Sequence, residues 1–283
     1  MKAEKLYARL EKDFIKPGLT DEWSKYMEPI ADFLTDNFKQ RSMGLVCDNA
    51  TEIRKVYTAV FPSDSVMNRV LEKNSRDTML FVHHPSDWDL AKAPPVFHLM
   101  NRDLLEKFRE KRIAIYNLHV PLDNYSEYST SATLAKAVGL TDLEPFFEYY
   151  GGLACVYGKT KYASVGEIRQ KFAAMVGHRT SYYQYGTEEI ASGRVAVAAG
   201  GGNIAELHEQ IAKDGVNLLV TGVTFDAPSS QEAHAAARER KISLLGGTHY
   251  STEKPACQAM CLYFQKLGLP AEFIEGKPGM EDL

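Results

Sequence analysis

The chain has 283 residues, enough for one large or two modest domains with a sizeable buried core. Hydrophobic residues at 45% and charged residues at 25% stand near the globular average, which excludes disordered, collagen-like and coiled-coil classes. A net charge of −4, with no run of Lys or Arg long enough to track a phosphate backbone, argues against nucleic acid as a partner.

The first stretch, MKAEKLYARLEKDF, is charged and amphipathic, not a basic segment followed by an apolar core and cleavage site. No apolar run approaches the roughly 18 residues of a membrane span, so a cytoplasmic protein without membrane association is expected. Helices are predicted over 3–15 and 21–38, broken at KPGLT by Pro17 and Gly18. KVYTAVF (55–61), the Ser-capped helical SDSVMNRVLEKN (63–74) and DTMLFVHH (77–84) then read as strand, helix, strand, the mark of a βαβ unit with a largely parallel sheet.

NRDLLEKFREK (101–111) predicts a further helix and IAIYNLHV (113–120) a strand that again ends in a histidine. SATLAKAVGL (131–140) is a short helix with a Gly stop. Beyond 145 comes a Gly-rich strand, then a helix from about Ser164 in which Glu167 completes a capping box. GRVAVAAGGGNIAELHEQIAKDG (193–215) reads as strand, glycine turn and helix. A strand at 216–222, a helix at 230–240, a strand in 242–253 and a final helix over 253–267 follow. The pattern predicts an α/β protein of two α/β domains, 1–130 and 131–283, with mixed, largely parallel sheets. Their boundary falls between 125 and 190, and the domains are free to intertwine.

Chemistry-bearing residues collect after strand ends, where ligands of open α/β sheets bind. His83 and His84 close one strand; neighbours on a strand face opposite ways, so two adjacent imidazoles make sense only where the chain is already turning. His119 and Asp123 bracket the end of another strand. In THYSTEKP a helix starting near Thr252, with Pro255 in its first turn, would leave His249 on the strand end and Glu253 on the helix N-terminus. These six are donors of the kind that bind Zn, Mn, Fe or Ni, and with carboxylates among them two metals a few ångströms apart become an expectation.

Blander readings go to the rest. His98, His178, His208 and His234 read as surface or satisfied core groups, and Asp87 and Asp89 as caps of the turn after the double His. AAGGGNIAE matches neither GxGxxG nor GxxxxGK[ST], so Gly200, Gly201 and Gly202 read as a tight turn rather than a phosphate cradle. Cys257 and Cys261, four apart on one helix face with Phe264, read as reduced core residues.

Taken in order, FVHHPSDW, YNLHVPLDN, RVAVAAGGG, NLLVTG and GGTHYSTE resemble the NIF-three-like family (NGG-interacting-factor-three), also called GTP cyclohydrolase I type II homologues. The similarity runs from about Gly44 to Leu267. The resemblance implies a two-domain protein assembled as a ring-like hexamer, with a pair of divalent metals in the cleft between domains. The family's ligands fall on His83, His84, Asp123, His249 and Glu253, with His119 beside them. The ions would be Zn, Fe, Mn, Ni or Mg. Two functions follow as expectations. One is a metal-dependent hydrolase of a nucleotide or other phosphorylated small molecule, with His119 as acid or base and Glu253 on the metals. The other is a metal-binding oligomeric adaptor without turnover. Departures from the family pattern are HHPSDWD, Val120 where a Thr is usual, and Val223 where a Glu often stands.

Overall fold

The computed structural model describes residues 1–89 and 96–283. Its strands in chain order are β1 (Gly44–Cys47), β2 (Lys55–Ala59), β3 (Thr78–Val82), β4 (Asp87–Asp89), β5 (Val96–His98), β6 (Ile113–Asn117), β7 (Thr141–Tyr149), β8 (Gly152–Lys159), β9 (Ser181–Tyr183), β10 (Arg194–Ala198), β11 (Leu218–Thr221), β12 (Ser243–Gly246) and β13 (Ala271–Phe273).

The first sheet has the order β1-β6-β3-β2-β13, with β1 antiparallel to β6 and the other neighbours parallel. Its central strand TMLFV is buried along its whole length, as a strand covered on both faces must be. One face packs on Leu6, Leu10, Met260 and Phe264; the other on Met67, Leu105 and Phe108. The second sheet, β7-β8-β10-β11-β12-β9, is mixed: β10, β11 and β12 run parallel while β7, β8 and β9 pair antiparallel. Thus the fold is α/β with mixed sheets, largely parallel in the first.

The helix His249–Lys266 leaves the second sheet and packs Ala256, Met260 and Phe264 into the core of the first, after which β13 pairs with β2. Cys257 and Cys261 on this helix are free, buried thiols, as their spacing suggests.

Two helices depart from expectation. In place of one helix over 21–38 the chain makes 3-10 turns at Trp23–Tyr26 and Glu28–Phe33, then a short helix Asp36–Arg41 capped by Thr35. Pro29 supplies no N–H to a continuous helix, and the Thr35 side chain accepts from the Phe38 N–H, starting a new helix instead. The last helix begins at His249, not near Thr252, because Thr248 and Ser251 cap one another reciprocally. Pro255 therefore sits inside the helix, past the first turn, and His249 belongs to the helix, not to a strand end.

Candidate metal centre

Because β3 and β6 are parallel neighbours in register, their carboxyl ends lie side by side. Beyond β3 the ladder continues: the His83 N–H donates to Ala59 O at 3.2 Å and the His84 N–H to Val60 O at 3.0 Å. Both histidines are thus held by backbone bonds past the strand end, and both are buried. Beyond β6, His119 precedes a single helical turn, Val120–Asp123, where Pro121 needs no N–H partner. That turn closes with the Asp123 N–H on His119 O, bringing His119 and Asp123 together. From the second sheet, the cap at Thr248 sets His249 and Glu253 one turn apart on the same helix face.

All six predicted donors meet here. Glu253 Oε1 accepts from His249 Nε2 at 2.9 Å and Oε2 from His84 Nε2 at 2.9 Å. His83 Nε2 lies 3.3 Å from Glu253 Oε1 and 3.5 Å from Asp123 Oδ1. His119 Nε2 lies 3.7 Å from Asp123 Oδ2. Three donor sets each fall within 4.8 Å: His83, His84 and His119; His84, His249 and Glu253; His83, Asp123 and Glu253.

His83 shows what this arrangement is suited to. Its Nδ1–H donates to the Leu118 carbonyl at 2.9 Å, so in the neutral ring Nε2 carries the lone pair. That lone pair faces two carboxylate oxygens and makes no hydrogen bond. A cation satisfies all three groups at once, either a proton on Nε2 or a metal ion among them. Burial opposes a charge on His83, yet Glu253 and Asp123 prevail and push it up to about 9. For His84, burial, helped by His83 and His119, overcomes Glu253 and holds the ring well below the usual histidine range. Its Nδ1 is buried without a partner.

The carboxylates divide likewise. Burial would raise Glu253, but His249, His84 and His83 hold it well below the usual carboxylate range. Burial raises Asp123 against the opposing pull of His83 and His119. His249 is raised, since Glu253 outweighs its burial. Neutral imidazoles and ionised carboxylates are the forms that ligate divalent metals, and this donor set, with its orphaned nitrogens, fits such an ion.

Around the donors stands an aromatic wall. Phe61 stacks on His84 with centroids 4.8 Å apart, and Trp88 meets the edges of His84 and His249 at 4.9 Å each. A cavity of about 230 Å³ opens over Glu253 and Asp123, bounded by Tyr149, Phe147, Ile204 and Leu207. Gly200, with φ of +72°, turns the chain after β10 against this site.

Sequence reasoning missed Asp21. Its Oδ2 lies 2.9 Å from His119 Nδ1, and the Trp23 indole N–H points at the same nitrogen from 3.0 Å. One ring nitrogen holds either a proton or a lone pair, so it serves one of them at a time. With the proton on Nδ1 it donates to Asp21 and leaves Nε2 free as a donor atom; with the proton on Nε2, Nδ1 accepts from Trp23. Nothing local in DEWSKY marks these residues. The segment PSDWD did stand out, and its Trp88 is part of the wall.

Asp87 and Asp89 belong to strand β4 and do not sit in the turn as caps; Asp87 Oδ1 accepts from the Trp88 N–H at 2.8 Å. His98 is exposed, and His178 is partly exposed. His234 is buried and bonded at both nitrogens. His208 is only half satisfied: Nδ1 donates to Ile204 O at 2.8 Å while Nε2 is buried without a partner. Val120 and Val223, the departures from the family pattern, are buried core residues.

Fold and donors together define an α/β protein of two large sheets and a small two-stranded sheet of β4 and β5, with buried His and carboxylate clusters that could hold metal. The chain belongs to the Duf34/NIF3 (NGG1p interacting factor 3) family, whose model matches residues 20–278. It is 30% identical over 249 residues to a protein of Archaeoglobus fulgidus named GTP cyclohydrolase 1 type 2 homolog, covering 86% of this chain and 94% of that one. A protein of the same name from Pyrococcus horikoshii is 28% identical over 238 residues, covering 80% and 87%. Among solved structures, protein ybgI, of unknown function, superposes with a TM-score of 0.76 at 22% identity over 99% of this chain and all of that one. Reduced HcgD from Methanocaldococcus jannaschii does so with a TM-score of 0.69 at 20% identity over 98% of each chain. At these identities the two structures speak for the fold.

Proposed function

We propose that the cluster binds two divalent metal ions and that the protein is a metal-dependent hydrolase of a nucleotide or other phosphorylated small molecule. The observation that carries the metal reading is His83 Nε2, a buried lone pair facing Glu253 and Asp123 with only a cation to reconcile them. His83, His84, Asp123, His249 and Glu253 would hold the ions. Two α/β units, close to 1–130 and 131–283 but interleaved through β13, would each contribute donors. Bound divalent ions lower the pKa of water and polarise a phosphoryl or carbonyl oxygen.

The chain's own groups supply the rest. Both Glu253 oxygens are engaged by separate imidazoles, so Glu253 would orient the two halves of the site against each other. His119, with Nδ1 anchored by Asp21 or Trp23, would hold or pass a proton at Nε2. Phe61 and Trp88 would exclude water from one side of the donors. A nucleotide as substrate is favoured by the names of the relatives, and a ring-like hexamer by family resemblance.

The test is metal content by mass spectrometry, followed by release of phosphate or formate from a nucleotide panel by wild type and Glu253→Ala. Metal-dependent hydrolysis that disappears in the variant supports the enzyme. Full occupancy without turnover on the panel would favour the adaptor, with the metals bracing the cleft. Light scattering of the intact chain tests the hexamer.

A further inference from the structure

Beside the cavity over the donors, and sharing Trp88, His119 and Tyr149 with it, lies a second cavity of about 210 Å³. We infer that this cavity is a binding site for an organic cation, an alkylated ammonium group held by aromatic faces and carboxylates. Its walls are Trp23, Tyr26, Trp88, Phe97, Tyr149 and Tyr150, and its acidic members are Asp21 and Glu22.

The lining is an aromatic cluster, in which Tyr26 stacks on Phe97 with centroids 4.2 Å apart. Trp23 and Phe97 stand at 89° with centroids 5.8 Å apart, Tyr149 and Tyr150 at 88° and 4.7 Å, and Trp23 and Trp88 at 63° and 4.9 Å. Aromatic rings around a cavity offer it negative π faces, which attract a cation and have no such pull on a neutral group of the same shape. No Lys or Arg belongs to the described lining, and although Lys25 pairs with Glu22 from the rim, Asp21 leaves the lining with a carboxylate that no Lys or Arg of the lining offsets. Asp21 is nearly buried, with a side chain 3% exposed, which strengthens its field inside the cavity. At the rim the same chemistry is already in use: the Lys25 ammonium lies 5.3 Å from the Tyr26 ring centroid and pairs with Glu22. Tyr26 and Tyr150 are 38% and 40% exposed, so a ligand reaches the cavity from solvent.

Trp88, His119 and Tyr149 line both this cavity and the one over the donors. A ligand with a cationic arm anchored in the second cavity would therefore lie against the wall of the proposed centre. The cation site itself does not depend on the metal reading.

The chain supplies its own probe, since Trp23 and Trp88 are its two tryptophans and both line the cavity. The experiment is a fluorescence titration of the full chain at constant ionic strength, metal-loaded and chelator-treated. The ligands are choline chloride and its neutral carbon isostere 3,3-dimethylbutan-1-ol. Choline is expected to give a saturable change that the alcohol does not. The half-exposed substitutions Tyr150→Ala and Tyr26→Ala should each weaken choline about fivefold with the melting temperature unchanged. Equal response to the alcohol, no saturable response, or full affinity in both variants overturns the assignment. Failure of metal binding with choline binding intact would sink the proposed function alone.

Discussion

Gly200 and Glu253 meet with no room for a side chain between them: a Cβ on residue 200 would overlap Glu253 Oε1 and crowd His249 Nε2. The turn after β10 thus sets the carboxylate's position from outside its own helix. Gly200→Ala adds this overlap to the left-handed backbone penalty at φ +72°. It should destabilise the fold by roughly 1–3 kcal/mol. It should also weaken divalent metal binding, read by calorimetry against Gly177→Ala. Gly177 likewise has positive φ, but its Cβ would meet open space. Equal losses in both variants would deny Gly200 its place at the site.

Removal of metal gives a second prediction. A ligand at a hundred times its Kd adds about 2.7 kcal/mol to stability. Chelation should accordingly lower the melting temperature of the native chain by several degrees. His83→Ala and His249→Ala should lose that increment and retain little metal after reloading. If both reload to the wild-type level, the donor assignment is wrong.

His119 offers a test of tautomer. Asp21→Asn replaces a charged acceptor by a neutral one and should cut turnover about tenfold with metal content unchanged, since the proposed role of His119 is proton transfer and not metal ligation. Trp23→Phe removes the competing donor and should leave turnover at or above the native value. Nitrogen-15 shifts of the His119 ring in each variant report which nitrogen holds the proton. Loss of metal from Asp21→Asn, with native turnover per bound ion, would contradict this role for His119.

Away from the site, Glu272 ties β13 to the rest of the first sheet. Its carboxylate accepts from Lys55 and Lys73 at 2.6 Å each, and these bonds lower its pKa below the usual value. A depressed carboxylate stabilises the fold above its unfolded pKa, and the contribution is lost as pH falls through the folded value. Glu272→Gln should cost up to about 1 kcal/mol at pH 7, given the exposure of all three side chains. That difference should shrink below pH 4.5 and in high salt, as denaturant midpoints would show.

Much of the fold was legible because it is local. The double His after TMLFV, the histidine after IAIYN and the Ser164 capping box rest on period, propensity and short-range hydrogen bonds. Where tertiary contacts compete, local reasoning failed. The region 21–38 has helical spacing, yet Trp23 is drawn into the aromatic cluster around His84 and His119, and the chain breaks into short turns. Local pattern alone puts Pro255 in the first turn and so starts the last helix late, whereas the Thr248 and Ser251 bonds start it at His249.

By itself, then, the sequence determined the donor types and their place at strand ends and helix starts, since backbone periodicity decides which residues emerge there. Only the tertiary structure decided that they form one cluster. His84 and Glu253 lie 169 positions apart and meet at 2.9 Å because the long helix and β13 carry the second half of the chain back onto the first sheet. Asp21, Trp23 and Gly200 matter for the same reason: each acts through proximity in space to a donor distant in sequence, and proximity of that kind leaves no periodic trace.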